Sequence, residues 1–262
     1  MYVTAIVLAA GRGLRFSRPT NFTVKGGTKP LIEINSKPLI IYCLNILSNH
    51  PYIRDIIVVV NLENSRSIIS KIKQYRIKKI TDVVLGGRLR QNSVINGLKA
   101  MDARTDWVLI HDGVRPFIDK DTVSSVIKVA KECGAAIVGV PVKATIKKVI
   151  PRSGQARSSL ARDKQGHPST ALGTSKVTSE FIVEKTLNRD NLWEIQTPQV
   201  FKKELILKAY EEFGDMDVTD DASLIERLGA KVKIVKGSYT NIKITTPEDL
   251  ILAEAIAKDL KG

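Results

Sequence analysis

Apolar residues fall along this chain in two rhythms that take turns. Short runs such as VTAIVLAA (3–10), DIIVVV (55–60), DVVL (82–85), WVLIHD (107–112) and AAIVGVPV (135–142) are apolar nearly throughout. Runs of this length, rich in Val and Ile, predict strands buried on both faces. Between them lie segments with apolar residues three and four apart: PLIIYCLNILSN (38–49), ENSRSIISKIKQY (63–75), a stretch from about Gln91 to Met101, and DKDTVSSVIKVAKECG (119–134), which Gly134 stops. These predict amphipathic helices. Strand and helix in alternation predict an α/β fold with a mostly parallel sheet covered on both faces.

The rhythm breaks after Val142. From Lys143 to about Glu184 the chain is rich in Ser, Thr, Gly, Lys and Arg, and SGQARSSLARDKQGHPSTALGTSK has no apolar period. TIKKVI (145–150) and FIVEKTL (181–187) flank it and alternate, which predicts two strands of a hairpin-like arm. Regular patterns then return: helices over KKELILKAYEEF (202–213) and TDDASLIERLG (219–229), strands over KVKIVKG (231–237) and NIKIT (241–245), and a last helix over TPEDLILAEAIAKDL (246–260) with Thr246 as N-cap and Pro247 in the first turn. The expectation is one domain over 1–262, with an arm inserted at about 143–188 and an irregular segment at about 152–179.

Composition narrows the classes. The chain has 262 residues with 43% hydrophobic content, enough for a sizeable core. No apolar run reaches the roughly 18 residues of a membrane span. MYVTAIVLAAG lacks a basic leader and is read as the first strand, not a signal peptide. Cys43 and Cys133 sit in apolar helical stretches and read as buried small hydrophobes in a reducing, cytoplasmic setting. His50, His111 and His167 have no ligand-like spacing, which argues against a zinc site. Net charge is +14, and Lys143–Arg189 holds ten basic residues against three acidic ones. Such a surplus suits anionic partners, including phosphorylated metabolites, nucleotides and nucleic acid.

The polar punctuation sits where a parallel sheet binds ligands, at the carboxyl ends of its strands. The first strand runs into AAGRGLRF, where Gly11 and Gly13 permit a tight turn and Arg12 and Arg15 add positive charge. A dinucleotide fingerprint would have a third glycine where Phe16 stands, and GGTK (26–29) lacks the spacing of a P-loop. By itself the turn is either structural or a phosphate loop. Further strand ends add Lys29 in TKPLIEI, GGRLRQNSV (86–94), HDGVRP (111–116) and the lysine of NIKIT. Together they collect Arg15, Lys29 and Lys243 around one acid, Asp112. A carboxylate in a cationic site is the usual way to hold Mg²⁺ on a polyphosphate.

AAGRGLR, the following lysine, GGRLRQNSV, HDGVRP, TPQVF, TDDAS and NIKIT, in this order, resemble the 2-C-methyl-D-erythritol 4-phosphate cytidylyltransferase family over about residues 3–258. The resemblance implies a Rossmann-like nucleotidyltransferase sheet that dimerises through a protruding β-arm. It implies transfer of CMP from CTP to a polyol phosphate, with release of pyrophosphate, in non-mevalonate isoprenoid biosynthesis. Arg15 and Lys29 would then hold the triphosphate, and Lys243 would stabilise the pentavalent transition state. Ala9, Ala10, Gly11 and Gly13 would line the nucleotide. Gly87 and Ser93 would read cytosine and ribose, with Arg90 in the same loop. Asp112 would position Mg²⁺ and the acceptor. Arg115, Thr145, Arg189, Thr197 and Thr219 would bind the acceptor's phosphate and hydroxyls, some of them from the partner's arm, and Arg189 and Lys243 would also serve catalysis.

Three features depart from the family pattern. The loop SRPTNFTVKGGT is longer, Arg88 stands where an acidic or small residue is commoner, and the arm carries an insertion. The sister ribitol-5-phosphate cytidylyltransferases share nearly all these motifs and supply the alternative acceptor; sugar-1-phosphate nucleotidyltransferases come third. From another class, the basic arm could bind RNA, yet no Phe, Trp or Tyr occurs between Lys143 and Glu180 to stack on bases.

Overall fold

Strand β1 (Val3–Leu8) alternates its side chains between the two faces of a seven-stranded sheet in the computed structural model, which describes residues 1–11, 28–151, 181–216 and 218–259. Val3, Ala5 and Val7 face one core and Ile6 the other, and all four are fully buried. Burial on both faces is why the sequence reads as continuously apolar.

The described residues form two compact units, one of Met1–Val140 with Glu194–Gly262 and one of Pro141–Trp193. In chain order the elements are β1, a short hairpin of β2 (Glu33–Ile34) and β3 (Lys37–Pro38), α1 (Leu39–Ser48), β4 (Ile53–Val60), α2 (Ser65–Gln74), β5 (Ile80–Leu85), α3 (Arg90–Lys99), β6 (Trp107–Asp112), α4 (Lys120–Cys133), β7 (Ala135–Pro141), β8 (Lys147–Pro151), β9 (Phe181–Thr186), β10 (Trp193–Lys202), α5 (Lys203–Phe213), α6 (Ala222–Arg227), β11 (Lys233–Lys236) and α7 (Pro247–Asp259). The sheet order is β11-β7-β10-β6-β1-β4-β5. β1 pairs in parallel with both β4 and β6, β4 with β5, and β7 with β11, whereas β10 runs antiparallel to β6. The α/β class and the mostly parallel sheet match the pattern of the sequence.

Helices cover both faces. Residues of α1, α2 and α4 fill the core on one side; α3, α5 and α6 fill the other. Helix α4 shows why these segments are helical. Val123, Val126, Ile127 and Ala130 are buried at helical spacing, Asp119 caps the start by accepting the Thr122 N–H, and Gly134 ends it at φ 90°. A third core, around Ile34, Leu39, Phe117, Ile244 and Leu250, seats α7. The Asp249 carboxylate accepts the N–H groups of Thr245 and Thr246 ahead of that helix. Among the described residues no helix is long and apolar enough to cross a membrane.

The second unit is built on the two-stranded pairing of β8 with β9, antiparallel as the alternating pattern predicts. Lys148 pairs with Glu184 across it at 2.9 Å. Val149, Ile150, Phe181, Ile182 and Val183 are exposed on this ribbon.

Two expectations need correction. NIKIT (241–245) is not a strand. Its Ile244 N–H bonds the Val114 carbonyl at 3.0 Å, the side chains of Arg115 and Lys29 take the carbonyls of Asn241 and Thr245, and Ile244 is buried in the third core, so the segment is held without a ladder. The helix expected over 219–229 is shorter, Ala222–Arg227: Asp221 is turned to Arg90, Asp220 accepts the Ser223 N–H at the start and also accepts from Gln199, and the chain leaves the helix at Leu228, ahead of Gly229 at φ 76°.

Candidate active site

The chain reverses its direction of travel across the sheet at β1. It proceeds outward through β4 and β5, then returns to lay β6 on the other side of β1. Such a switch point leaves a crevice at the carboxyl ends of the strands. Leu8 and Asp112 are register partners there, so Ala9–Gly11 and Asp112–Arg115 leave the sheet side by side.

Asp112 is the hub. Its side chain is only 10% exposed. Lys243 Nζ lies 2.9 Å from Oδ2, Arg115 Nε 3.6 Å from Oδ2, and Arg90 Nε 4.0 Å from Oδ1. Burial alone would raise this carboxyl, but Lys243, Arg90 and Arg115 together hold it well below the usual carboxylate range. It is therefore ionised throughout the physiological range. Oδ1 accepts no hydrogen bond among the described residues, which leaves an acceptor for a divalent cation or a ligand hydroxyl.

The surrounding groups are fixed from behind. The Asp112 N–H donates to Thr197 Oγ1 at 3.0 Å, Thr197 Oγ1 lies 3.1 Å from His111 Nδ1, and His111 Nε2 lies 3.1 Å from the Arg115 carbonyl. One assignment satisfies all three contacts: a neutral His111 carrying its proton on Nε2, and a Thr197 hydroxyl donating to Nδ1. Burial pushes His111 down to about 4, against the opposing bond to the Arg115 carbonyl, in agreement with that neutral form. Arg115 donates to the carbonyls of Asn241 at 2.8 Å and Ile195 at 3.4 Å. Arg90 is clamped by Asp221, which is fully buried, through bonds of 2.9 and 2.7 Å, and Tyr210 donates to the same carboxylate at 2.5 Å.

A cleft of about 510 Å³ opens over Asp112, and Arg90, Arg115, Thr197, Thr219 and Lys243 are among its walls. At the neighbouring strand ends, the Gly87 N–H donates to Ser93 Oγ at 3.2 Å. Gly86 has to be glycine: a Cβ there would lie 2.5 Å from Ala10 Cβ and 2.6 Å from Ser93 Oγ. That closeness packs the loop after β5 against the loop after β1. Lys29, on the 3₁₀ turn Lys29–Leu31, donates from Nζ to the Thr245 carbonyl at 2.7 Å, two residues beyond Lys243.

The structure thus gathers Asp112, Arg115, Thr197, Thr219, Arg90 and Lys243 at one cleft. Ala9, Ala10, Gly11, Gly87 and Ser93 lie at the adjoining strand ends, and Lys29 beside the segment that carries Lys243. Gly13 and Arg15 lie outside the described residues. Thr145 and Arg189 belong to the Pro141–Trp193 unit, where Thr145 is exposed and Arg189 donates to the Lys143 carbonyl at 2.5 Å. Sequence reasoning missed Asp221 as the partner of Arg90, and it missed Asn61 and Asn64, which bond the carbonyls of Ala10 and Ala9. The signal for the asparagines was their place directly after a buried strand, where polar residues line a ligand crevice.

A profile of the 2-C-methyl-D-erythritol 4-phosphate cytidylyltransferase family matches residues 3–165 and 170–259. A relative of that name from Dehalococcoides mccartyi is 38% identical over 256 residues, 98% of this chain and 96% of its own. Another from Geobacillus thermodenitrificans is 40% identical over 258 residues, 98% and 97% of the two chains. Among solved structures, 4-diphosphocytidyl-2C-methyl-D-erythritol synthase from Anaerococcus prevotii superposes with a TM-score of 0.73 at 32% identity, covering 98% of this chain and 96% of that one.

Proposed function

Because this chain belongs to the 2-C-methyl-D-erythritol 4-phosphate cytidylyltransferase family, we propose a division of labour among the residues of its cleft. The reaction is transfer of CMP from CTP to 2-C-methyl-D-erythritol 4-phosphate, forming 4-diphosphocytidyl-2-C-methyl-D-erythritol for isoprenoid biosynthesis. An oxygen of the acceptor phosphate attacks the α-phosphorus of CTP, the bond from that phosphorus to the bridging β-oxygen breaks, and pyrophosphate leaves. The attacking oxygen is already ionised at neutral pH, so no strong general base is required, and catalysis rests on positioning and charge stabilisation.

The observation that carries this reading is the Asp112 carboxylate held among Lys243, Arg115 and Arg90 at the switch point. Lys243 and Lys29, with Arg15, bind the triphosphate and take up the charge that develops at the α-phosphate. Ala9, Ala10, Gly11 and Gly13 line the nucleotide, and Gly87, Ser93 and Arg90 form the wall that reads it. Arg115, Thr197 and Thr219 bind the acceptor. The donor set fits a divalent cation such as Mg²⁺: among the described residues Asp112 Oδ1 accepts no hydrogen bond and has only Arg90 Nε near it, at 4.0 Å, and one carboxylate plus phosphate oxygens and water is a common magnesium shell. When bound there, the cation would neutralise phosphate charge.

The proposal includes a homodimer. A two-stranded ribbon that exposes Val149, Ile150, Phe181, Ile182 and Val183 is marginal by itself and suits burial against a second copy of the chain. In that dimer Thr145 and Arg189 serve the acceptor phosphate across the interface. The two free thiols, Cys43 and Cys133, suit a cytoplasmic location.

The test is pyrophosphate release from CTP with Mg²⁺, offering 2-C-methyl-D-erythritol 4-phosphate and ribitol 5-phosphate separately. Release with the first alone is expected. Release with the second alone would keep the phosphate chemistry and overturn the acceptor; silence with both would overturn the reading.

A further inference from the structure

Two asparagines after β4 form a closed hydrogen-bonded box. The Asn61 N–H donates to Asn64 Oδ1 at 2.9 Å, and the Asn64 N–H donates to Asn61 Oδ1 at 2.9 Å. Each side-chain amide then has its N–H₂ group left to spend. Asn61 Nδ2 donates to the Ala10 carbonyl at 3.1 Å, and Asn64 Nδ2 to the Ala9 carbonyl at 2.9 Å. Asn64 is fully buried and Asn61 half-buried. The oxygen and nitrogen of both amides are fixed by this pattern, because only the oxygens can accept the backbone N–H groups.

The consequence follows from peptide geometry. A peptide unit is planar and trans, so the carbonyl of one residue and the N–H of the next point in opposite directions in one plane. Holding the Ala9 carbonyl therefore aims the Ala10 N–H away from Asn64. Holding the Ala10 carbonyl aims the Gly11 N–H away from Asn61. The peptide before them is pinned too, by the Ala9 N–H on the Val59 carbonyl at 2.7 Å. Among the described residues neither the Ala10 nor the Gly11 N–H has an acceptor. Two successive backbone donors, aimed and unspent, are a site for an oxygen of an anionic ligand.

We infer that Asn61 and Asn64 are positioning residues for nucleotide binding: they touch no substrate, and they aim the Ala10 and Gly11 N–H groups at the nucleotide. This rests on the nucleotide reading above. It also accounts for a division of roles at the strand ends. The Gly86 loop packs closely against Ala10, and the asparagine box sets which way the peptides face.

The test uses the full-length protein and neutral substitutions, since a new carboxylate would repel phosphates for an unrelated reason. Asn61→Ala removes one amide at a half-buried position. Asn64→Ser, which retains a hydroxyl for the Asn61 N–H, is measured beside it so that a folding failure in one leaves the other readable. Each variant is expected to raise KM for CTP about tenfold, the scale of losing one well-placed hydrogen bond with its ordering. KM for the methylerythritol phosphate should stay within about twofold of wild type, a change below 0.5 kcal/mol. Amide hydrogen exchange at Ala10 and Gly11, which saturating CTP should slow in the wild type by occupying these donors, is expected to be slowed less in both variants. Unchanged KM for CTP with unchanged exchange, in a wild type that turns over CTP, would overturn this inference alone. A parallel rise in both KM values would reduce the asparagines to general structural residues and overturn it too. A wild type inert toward CTP would overturn the nucleotide reading itself.

Discussion

Replacing Asp221 with Asn would remove one negative charge from the interior and leave shape almost unchanged. Asp221 is fully buried and meets Arg90 in two parallel bonds of 2.9 and 2.7 Å. At 2.7 Å and an effective dielectric constant of about 20, the gross attraction is about 6 kcal/mol. Desolvation offsets much of that, and breaking a buried pair by removing one partner costs about 3–5 kcal/mol. The Arg90 side chain is 26% exposed, so water recovers part of the loss and the expected value is the lower end, about 3 kcal/mol. Set against a total stability of about 5–15 kcal/mol, that is a large fraction. Urea unfolding followed by circular dichroism measures it. Arg90→Met and the double variant complete a cycle, in which the double variant should lose less than the two singles added together. A loss under about 1 kcal/mol, or strict additivity, would refute the reasoning, because then the pair would not be compensating buried charges. A functional loss should accompany the instability. With Asp221 neutral, the carboxylate nearest Arg90 is Asp112, 4.0 Å away, and the hub would be drawn toward it.

Other outcomes follow from the same geometry. Lys29→Ala and Lys243→Ala should each lower kcat by about a hundredfold or more while circular dichroism stays native, the scale of losing one group that stabilises transition-state charge; near-normal turnover in either removes that lysine from the mechanism. Gly86→Ala forces a Cβ to within 2.5 Å of Ala10 Cβ, so thermal unfolding should show about 1–3 kcal/mol of overpacking and KM for CTP should rise. His111 has a folded value lowered to about 4 from 6.5, so the unfolded chain takes up its proton first. Its contribution is complete above pH 6.5 and is lost as pH falls toward about 4, amounting to about 3 kcal/mol. Stability of His111→Asn measured across that range should lack this slope, and an unchanged slope would reassign it to other groups.

Much of the fold was legible because its determinants are local. β1, β4, β6 and β7 are buried on both faces and read as apolar runs; α4 carries its own cap and stop. β10 was not legible. Glu194, Gln196, Thr197, Pro198 and Gln199 interrupt any alternation, and a proline argues against an interior strand. The strand exists because its polar residues find partners from elsewhere: Thr197 with His111, Gln196 with Asn241 and Ser238, and Gln199 with Asp220. NIKIT failed in the opposite direction, since its alternating isoleucines pack on the third core while side chains, not a neighbouring strand, bond its carbonyls. At the site, charged residues on strand ends announced themselves by residue type and position. The Arg90–Asp221 pair did not, because its members are 131 residues apart and no local spacing links them. The asparagine box was hidden for another reason: its role is to orient backbone, and no side-chain chemistry advertises it.

The central claim is that the acceptor's phosphate oxygen, held in the cleft over Asp112, displaces pyrophosphate from the α-phosphorus of CTP. Phosphorus-31 spectroscopy of the product of CTP and 2-C-methyl-D-erythritol 4-phosphate tests it most directly. The expected product shows two mutually coupled phosphorus signals, the signature of a diphosphate bridge between cytidine and the polyol, alongside free pyrophosphate. A phosphodiester signal without that coupling would mean that a hydroxyl was the nucleophile, and release of CMP to water alone would mean that the cleft does not hold the acceptor in line for attack.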